Sequence, residues 1–466
     1  MGYPIEKNEG NPTEVTCPKV PLRLRKKPRS KDYFDPTVIS FGPYHRDKKD
    51  LQEIDTIKTE AMLKFIKESG KSFPEFYYKV RNMNHLTRAC YVDCSEKECC
   101  DDKFALIMLR DGCLISYILD SLKNDKLGNL SELFGNHETL LRYNPVIRDS
   151  VLLENQIPLN VLELLMSLRY NKPEKVVPKM IKQVICYMFW GIRTLEVPED
   201  KDDEPQARYL LECIHKEFSK VVDRKKELSL CFDFVPLYRF CLWNPFTNTS
   251  KKEHNPADDC PSYPSLSELK AKGIHFRPIN YSPHSFSFKH VKFIPGFFYA
   301  QLKLPPLFLT HTTVILWHNL IAFELSPACE TQIVIISYIN FLNALIANPD
   351  DVKELRSKRI LLIDVGSDEE VFQILKELAT VSVQDSSIYR DVREDIEKHC
   401  RSKARTWAAE IIYKYFRNPW SALGLFAAIA VVVSSFVQTY LSIYPGKDEC
   451  MESICSCLKK QQIKND

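Results

Sequence analysis

A chain of 466 residues, 44% of them hydrophobic, can fill a sizeable core and form two or three domains, which excludes a disordered chain. With only 13 glycines and 27% charged residues it is neither collagen-like nor of low complexity. The net charge of +3 is too small for a nucleic-acid binder, so no nucleic-acid partner is expected and any basic character is local.

The opening MGYPIEKNEG lacks the apolar stretch of a secretory signal, and Glu6 stands where a myristoylation motif needs Ser or Thr. Sixteen scattered cysteines therefore read as mostly reduced, buried thiols. Residues 1–31 read as a flexible basic arm ending in RLRKKPRSK. Its two functional readings are contact with anionic lipid and a nuclear address.

Residues 32–243 read as a helical region. The spacing of Leu51, Ile54, Ile57, Met62, Phe65 and Ile66 predicts an amphipathic helix over 51–69. KFALIMLRDGCLISYILDSL, 103–122, is apolar nearly all round and predicts a helix in the middle of the core. Further helical patterns cover 159–170, 177–193 and 206–222. Between them DSVLLENQIP, 149–158, sets Glu154, Asn155 and Gln156 after a greasy turn and before a helix-breaking proline.

Residues 244–265, with four prolines and no periodicity, predict a linker loop. In the region 266–416, GIHFRPI, SFSFKHVKF and AQLKLPPLFL alternate like strands of a small antiparallel sheet over about 270–310. Helical patterns follow at 313–347, 350–360, 369–380 and 389–416. SKRILLIDVGSDEEV reads as a strand, a glycine turn and a helix capped by Ser367.

From Ser421 more than twenty residues carry no charge, the length of a transmembrane helix, with Trp420 and Tyr444 as interface anchors. A span over 420–443 predicts the lipid bilayer of the plasma membrane or an endomembrane as a partner. Arg401, Lys403, Arg405, Lys414 and Arg417 before it predict a tail-anchored protein with its bulk in the cytosol and a short Cys/Lys tail over 444–466. Sequons at Asn129, Asn248 and Asn280 offer a check, because sugar on them would reverse that topology.

Signatures of phosphate-binding loops, zinc proteases and serine hydrolases are absent. Cys90, Cys94, Cys99 and Cys100 form a weak metal candidate, since their spacing of three, four and zero residues includes no C-x-x-C pair. His45 and His318 lack a local nucleophile or second ligand. Asp111, in an apolar stretch, must be paired or partly exposed. With Glu154, Asn155 and Gln156 it forms a polar cluster that reads either as capping and bracing of a turn, with Asp149 as an N-cap, or as a ligand or catalytic site.

ISFGPYH (39–45), IMLRDGCLI (107–115), DSVLLENQIPLNVLELL (149–165), SLSELKAKGIHF (265–276), NLIAFE (319–324) and YFRNPWSALGLFAAIAVVVSSFVQTY (415–440) resemble, in this order, a plant family. It is the domain of unknown function 247, also called uncharacterised protein family 0481. The resemblance implies a plant protein with a large soluble region, one C-terminal span and no established activity. Some grass members lie at self-incompatibility loci, which implies an interaction role for those. Arg110 stands where the family usually has an aliphatic residue, and the Cys90–Cys100 cluster is outside the pattern. The sequence thus points to a mainly helical, membrane-anchored recognition or signalling protein without a cofactor and with an unknown protein partner. An enzyme with an unrecognised site and a structural membrane component are the alternatives.

Overall fold

The computed structural model describes residues 17–91, 99–123, 132–134, 144–170, 176–190, 207–220, 264–279, 286–296, 299–329, 332–379, 387–401, 419–443 and 456. The linker at 244–263, the tail Cys450 and Cys455, and the three sequons lie outside them.

Two compact units emerge. The larger comprises residues up to Ser267, Phe276–Ile294 and Gln301–Asp395. It opens with the short helices α1 (Leu22–Arg25) and α2 (Ser30–Phe34), held down by the buried Val20, Leu24, Tyr33 and Phe34. The expected amphipathic helix is α3 (Asp55–Ser69), preceded by a 3-10 turn and ended by Gly70 at φ 71°, where the left-handed conformation suits glycine. Next come α4 (Phe73–Asn82) and α5 (Asn84–Ala89). Then α6 (Asp101–Lys123) buries Phe104, Met108, Leu109, Cys113 and Leu114.

Because α6 is apolar around most of its circumference, it can serve as a central post. It packs against α3, α4, α8 (Leu159–Tyr170) and α9 (Val176–Trp190), with α7 (Asn144–Ser150) preceding the latter two. Gly112 permits the approach of α8, since a Cβ there would lie 2.7 Å from Leu165 Cδ1. Arg110, one of the polar residues of α6, reaches out to Asp55 at 3.0 Å.

The chain continues through α10 (Leu210–Ser219), α11 (Leu266–Ala271), β1 (Ile274–Pro278), β2 (Lys292–Ile294), β3 (Ala300–Leu304) and β4 (Leu307–Leu309). The expected small sheet has the order β1-β3-β2, with β2 antiparallel to β3 and Phe293 opposite Leu302. The sequence reading put LFL into the same sheet. Instead β4 leaves at Pro305-Pro306 and pairs in parallel with β5 (Leu361–Ile363). Prolines cannot donate to a ladder, so the strand breaks there.

Between β4 and β5 run α12 (His311–Glu324), α13 (Val334–Leu345) and α14 (Pro349–Ser357); α15 (Asp368–Leu378) follows β5. Gly366, at φ 49°, makes the turn into α15, and Ser367 Oγ accepts the Glu370 N–H at 3.3 Å. The aromatic core of this half is a cluster of Phe189, Phe218, Phe288, Trp317 and Tyr338 with ring centroids 4.6–5.9 Å apart.

The smaller unit comprises Glu268–His275, Pro295–Ala300 and Ile396–Asp466. Within it the Ala300 N–H donates to the Gly273 carbonyl at 2.9 Å, and His399 Nε2 lies 3.1 Å from the Lys272 carbonyl oxygen. Its described helical segments include most of α11, the end of α16 (Arg390–Arg401) and α17 (Pro419–Ile443).

The predicted transmembrane helix is corrected here: among the described residues, no helix is long and apolar enough to cross a membrane. The prediction rested on absence of charge, which is a weaker condition than continuous apolarity. In α17 the apolar run is diluted by Gly424, Ser434, Ser435, Gln438 and Thr439. The hydroxyls of Ser434 and Ser435 turn back onto the Val431 carbonyl, and that of Thr439 onto Ser435. Trp420 falls in the first turn of this helix; Tyr444 lies outside the described residues.

The entry to α12 is fixed by Thr310, whose Oγ1 accepts the Thr313 N–H at 3.2 Å while Thr313 Oγ1 accepts the Thr310 N–H at 2.8 Å. Thr310→Ala should lower stability by about 1 kcal/mol, read as a drop of a few degrees in the thermal midpoint.

Candidate functional site

DSVLLENQIP begins as the last turn of α7 and ends at the head of α8. Val151, Leu152 and Leu153 are each at most 1% exposed, so the turn is driven into the core and its polar residues are carried in with it. A buried backbone needs partners for every N–H and C=O. Gln156 serves the turn itself, its Nε2 donating to the Ser150 and Leu152 carbonyls, both at 2.8 Å. Its Oε1 accepts the Leu211 N–H at the start of α10 at 3.0 Å, and its own carbonyl accepts the Tyr91 hydroxyl at 2.9 Å.

The rest of the block faces a second segment, residues 37–42, which has no helix or strand of its own. Asp149 Oδ2 accepts the N–H groups of Thr37, Val38 and Ile39 at 3.1, 2.8 and 2.9 Å. Asp149 is therefore no N-cap of its own turn, as the sequence suggested, but a carboxylate cap for a segment far away in the chain. Asn155 Oδ1 takes the Phe41 N–H at 2.6 Å, and its Nδ2 donates to the carbonyls of Ile39 and Asp149 at 3.0 and 2.8 Å. From α6, Asp111 Oδ2 takes the Gly42 N–H at 3.0 Å.

The charges in this centre are matched. Lys58 Nζ lies 2.9 Å from Asp111 Oδ1, both side chains nearly inaccessible, and also donates to the Ser40 carbonyl. Burial pushes the Asp149 carboxyl above its ordinary value, although the Ile39 and Val38 amides and Arg148 work against it. Glu154 behaves differently from its neighbours: Oε1 accepts the Val20 N–H at 2.7 Å and Oε2 pairs with Arg25, so it ties down the N-terminal stretch rather than the turn. His45 Nε2 is 3.6 Å from the same Oε2, and burial, followed by Lys48, drops its pKa to about 4.

Leu153 closes the arrangement by donating its N–H to Asn319 Oδ1 at 2.9 Å, while Asn319 Nδ2 donates to the Tyr33 and Ile315 carbonyls. Asn319 was carried in the sequence only by the NLIAFE resemblance, with no chemical role. Lys58 and Asn319 were missed as members of this centre. A lysine on the buried face of the predicted helix over 51–69 was the available signal.

Asp111 and Asn155 are thus brought, with Asp149, around segment 37–42, while Gln156 braces the turn itself and Glu154 ties down the N-terminal stretch. The apolar cavity of about 40 Å³ nearby is walled by branched aliphatic residues such as Ile115, Ile118, Ile147 and Ile181, with Ser150 its one polar residue. A second buried acid, Glu324, accepts the N–H groups of Ile335 and Ile336 at 2.8 and 2.9 Å and holds His215 Nε2 at 2.8 Å. Ser219 Oγ is 3.4 Å from that same nitrogen. A serine–histidine–acid relay needs hydroxyl and carboxylate on opposite ring nitrogens, so this trio braces the start of α13.

Of the cysteine candidates, Cys94 lies outside the described residues. Cys90 Sγ donates to the Leu86 carbonyl at 3.4 Å, and Cys99 Sγ lies 3.8 Å from the Cys100 carbonyl oxygen. Among the described residues no group of three metal-ligating side chains converges. His318 stacks on Tyr33 with centroids 3.8 Å apart, and burial lowers its pKa to about 3.

A mostly helical protein with two small sheets, in which a proline-ended turn of acids and amides fastens an irregular segment into the core, is the class defined here. The chain belongs to the family of plant proteins of unknown function known as domain of unknown function 247, whose model matches residues 17–434. It is similar to the UPF0481 protein At3g47200 of Arabidopsis thaliana, 23% identical over 423 residues that cover 88% of this chain and 83% of the relative. It is also similar to the putative UPF0481 protein At3g02645 of the same plant, 22% identical over 89% of this chain and 88% of the relative. No solved structure gives a significant match.

Two outcomes are expected. Gly42 sits at φ 68°, and a Cβ there would lie 3.0 Å from both the Gln156 carbonyl oxygen and the Tyr91 hydroxyl. Gly42→Ala should therefore destabilise by about 2 kcal/mol or more in a denaturant titration. The second concerns acid. His45 has a folded pKa below its unfolded value of 6.5, so its contribution is complete above pH 6.5 and lost as pH falls toward 4. Melting across that window should show a loss to which His45 adds up to about 3 kcal/mol, and His45→Gln should flatten the slope.

Proposed function

We propose that this protein acts by recognising another protein, through the outer face formed by α4 and α6. The observation that carries the reading is an exposed aromatic patch. Phe73 and Tyr77 stack with ring centroids 6.0 Å apart, and Tyr78 beside them is 61% exposed. Leu106, one turn beyond Asp102 on α6, is 40% exposed.

Asp102 accepts the Tyr77 hydroxyl at 2.9 Å and Arg81 Nε at 2.7 Å, which ties the Tyr77 ring to α6 at the edge of the patch. Tyrosine and arginine are enriched among the residues that carry most binding energy at protein interfaces, and phenylalanine is enriched in interfaces generally. The opposite faces of the same helices explain why these residues are not core: Phe76 and Val80 on α4, and Phe104, Ala105 and Met108 on α6, are the buried ones.

The polar centre supports the same reading from the other side. Its carboxylates and amides are taken up by backbone amides, Lys58 and Arg25, which leaves them little capacity for a reaction on a substrate. An interaction role is also what the resemblance implies for some grass relatives.

The test is proximity labelling in plant cells, comparing the natural chain with a Phe73→Ser, Tyr78→Ser double variant. Surface changes of this kind should move stability by no more than about 0.5 kcal/mol each. The reading expects a defined set of labelled proteins to disappear while the melting temperature stays put. An unchanged set would overturn it.

A further inference from the structure

The stretch RLRKKPRSK folds into a small, well-anchored head, and its anchoring sorts the side chains by direction. Val20, Leu24, Tyr33 and Phe34 are buried beneath it. Arg25 points inward to Glu154 and Asp35, with its guanidinium 5.7 Å from the Phe34 ring centroid. The Ser30 hydroxyl donates to the Arg25 carbonyl at 2.8 Å, and Arg29 makes the turn between α1 and α2 in the left-handed region at φ 61°.

What remains faces out. Leu22 is 78% exposed, flanked by the exposed Arg23, Lys26, Arg29 and Lys31. The acidic groups of the same stretch are spoken for: Asp32 lies 3.6 Å from Arg29, Asp35 is turned to Arg25 and Lys48, and Glu377 beneath takes the Tyr33 hydroxyl at 3.0 Å. Arg23, Lys26 and Lys31 carry no ion pair among the described residues. Crowding of like charge is felt at Lys27, whose pKa is lowered by burial and then by Arg23.

We propose that this head, Pro21–Lys31, docks on an anionic phospholipid surface, with Leu22 entering the headgroup layer and Arg23, Lys26 and Lys31 lying on the lipid phosphates and carboxylates. The patch unites an isolated apolar tip with exposed cations that carry no ion pair among the described residues. Such a combination suits a fluid surface better than the shaped pocket of an acidic protein. It is a peripheral contact, and it stands on observations separate from the aromatic face of α4.

The full chain is sedimented with vesicles of phosphatidylcholine alone and of phosphatidylcholine with phosphatidylserine, over a salt series. The expected result is stronger binding to the anionic vesicles, weakening as salt is raised. The Arg23→Ser, Lys26→Ser, Lys31→Ser triple variant should lose at least tenfold of that extra affinity, since each cation near such a surface contributes severalfold. Leu22→Ser should weaken anionic binding while leaving its salt dependence unchanged. Equal binding to both vesicles, or a triple variant that binds as the natural chain does, would overturn the proposal. So would capture of an acidic polyglutamate peptide by a chain that ignores the vesicles.

Discussion

Segment 37–42 runs from the exposed Thr37 into the core, where Ile39–Gly42 are buried, without belonging to a helix or a sheet, and its buried amide hydrogens must still find acceptors. An unpaired buried N–H costs about 1–3 kcal/mol, so leaving several of them unmatched would consume a large share of the stability of a domain. Asp149, Asn155 and Asp111 supply the acceptors at 2.6–3.1 Å. That requirement explains why acids and amides follow a greasy turn, why the turn ends at a proline, and why Lys58 is buried beside Asp111. The long helix α6 then has a second use besides packing, because it brings Asp111 to the same segment.

The arrangement bears on chemistry as well as on stability. A carboxylate that already accepts three amides, or is neutralised by a lysine, is a poor base for an incoming substrate. Glu154 is the member with the most solvent contact, and its oxygens are turned to Val20 and Arg25. The same economy recurs around Glu324, which caps α13 and orients His215. Glu154 and Glu324 therefore both hold backbone in place.

Much of the helical body was legible because burial imposes a period on sequence. The stripe over 51–69, the all-round apolarity of 103–122 and the patterns after 159, 177 and 369 correspond to α3, α6, α8, α9 and α15 within a few residues. What pattern does not encode is pairing across distance. Ile39 and Asp149 are 110 positions apart, and β4 and β5 are separated by three helices. No local signal marks either pairing. Asp149 was accordingly read as a local N-cap, and LFL as part of the nearby sheet. The C-terminal helix shows a different limit, since absence of charge was read as membrane-spanning apolarity while Gly424, Ser434, Ser435, Gln438 and Thr439 dilute the run.

The account depends on the 37–42 backbone being fastened by the turn at 149–156, and amide hydrogen exchange reads that directly. Val38, Ile39, Phe41 and Gly42 should exchange as slowly as the core amides of α6, and Asn155→Ala should accelerate Phe41 ahead of the α6 amides. Exchange of these four amides at the rate of an open loop in the natural chain would contradict it.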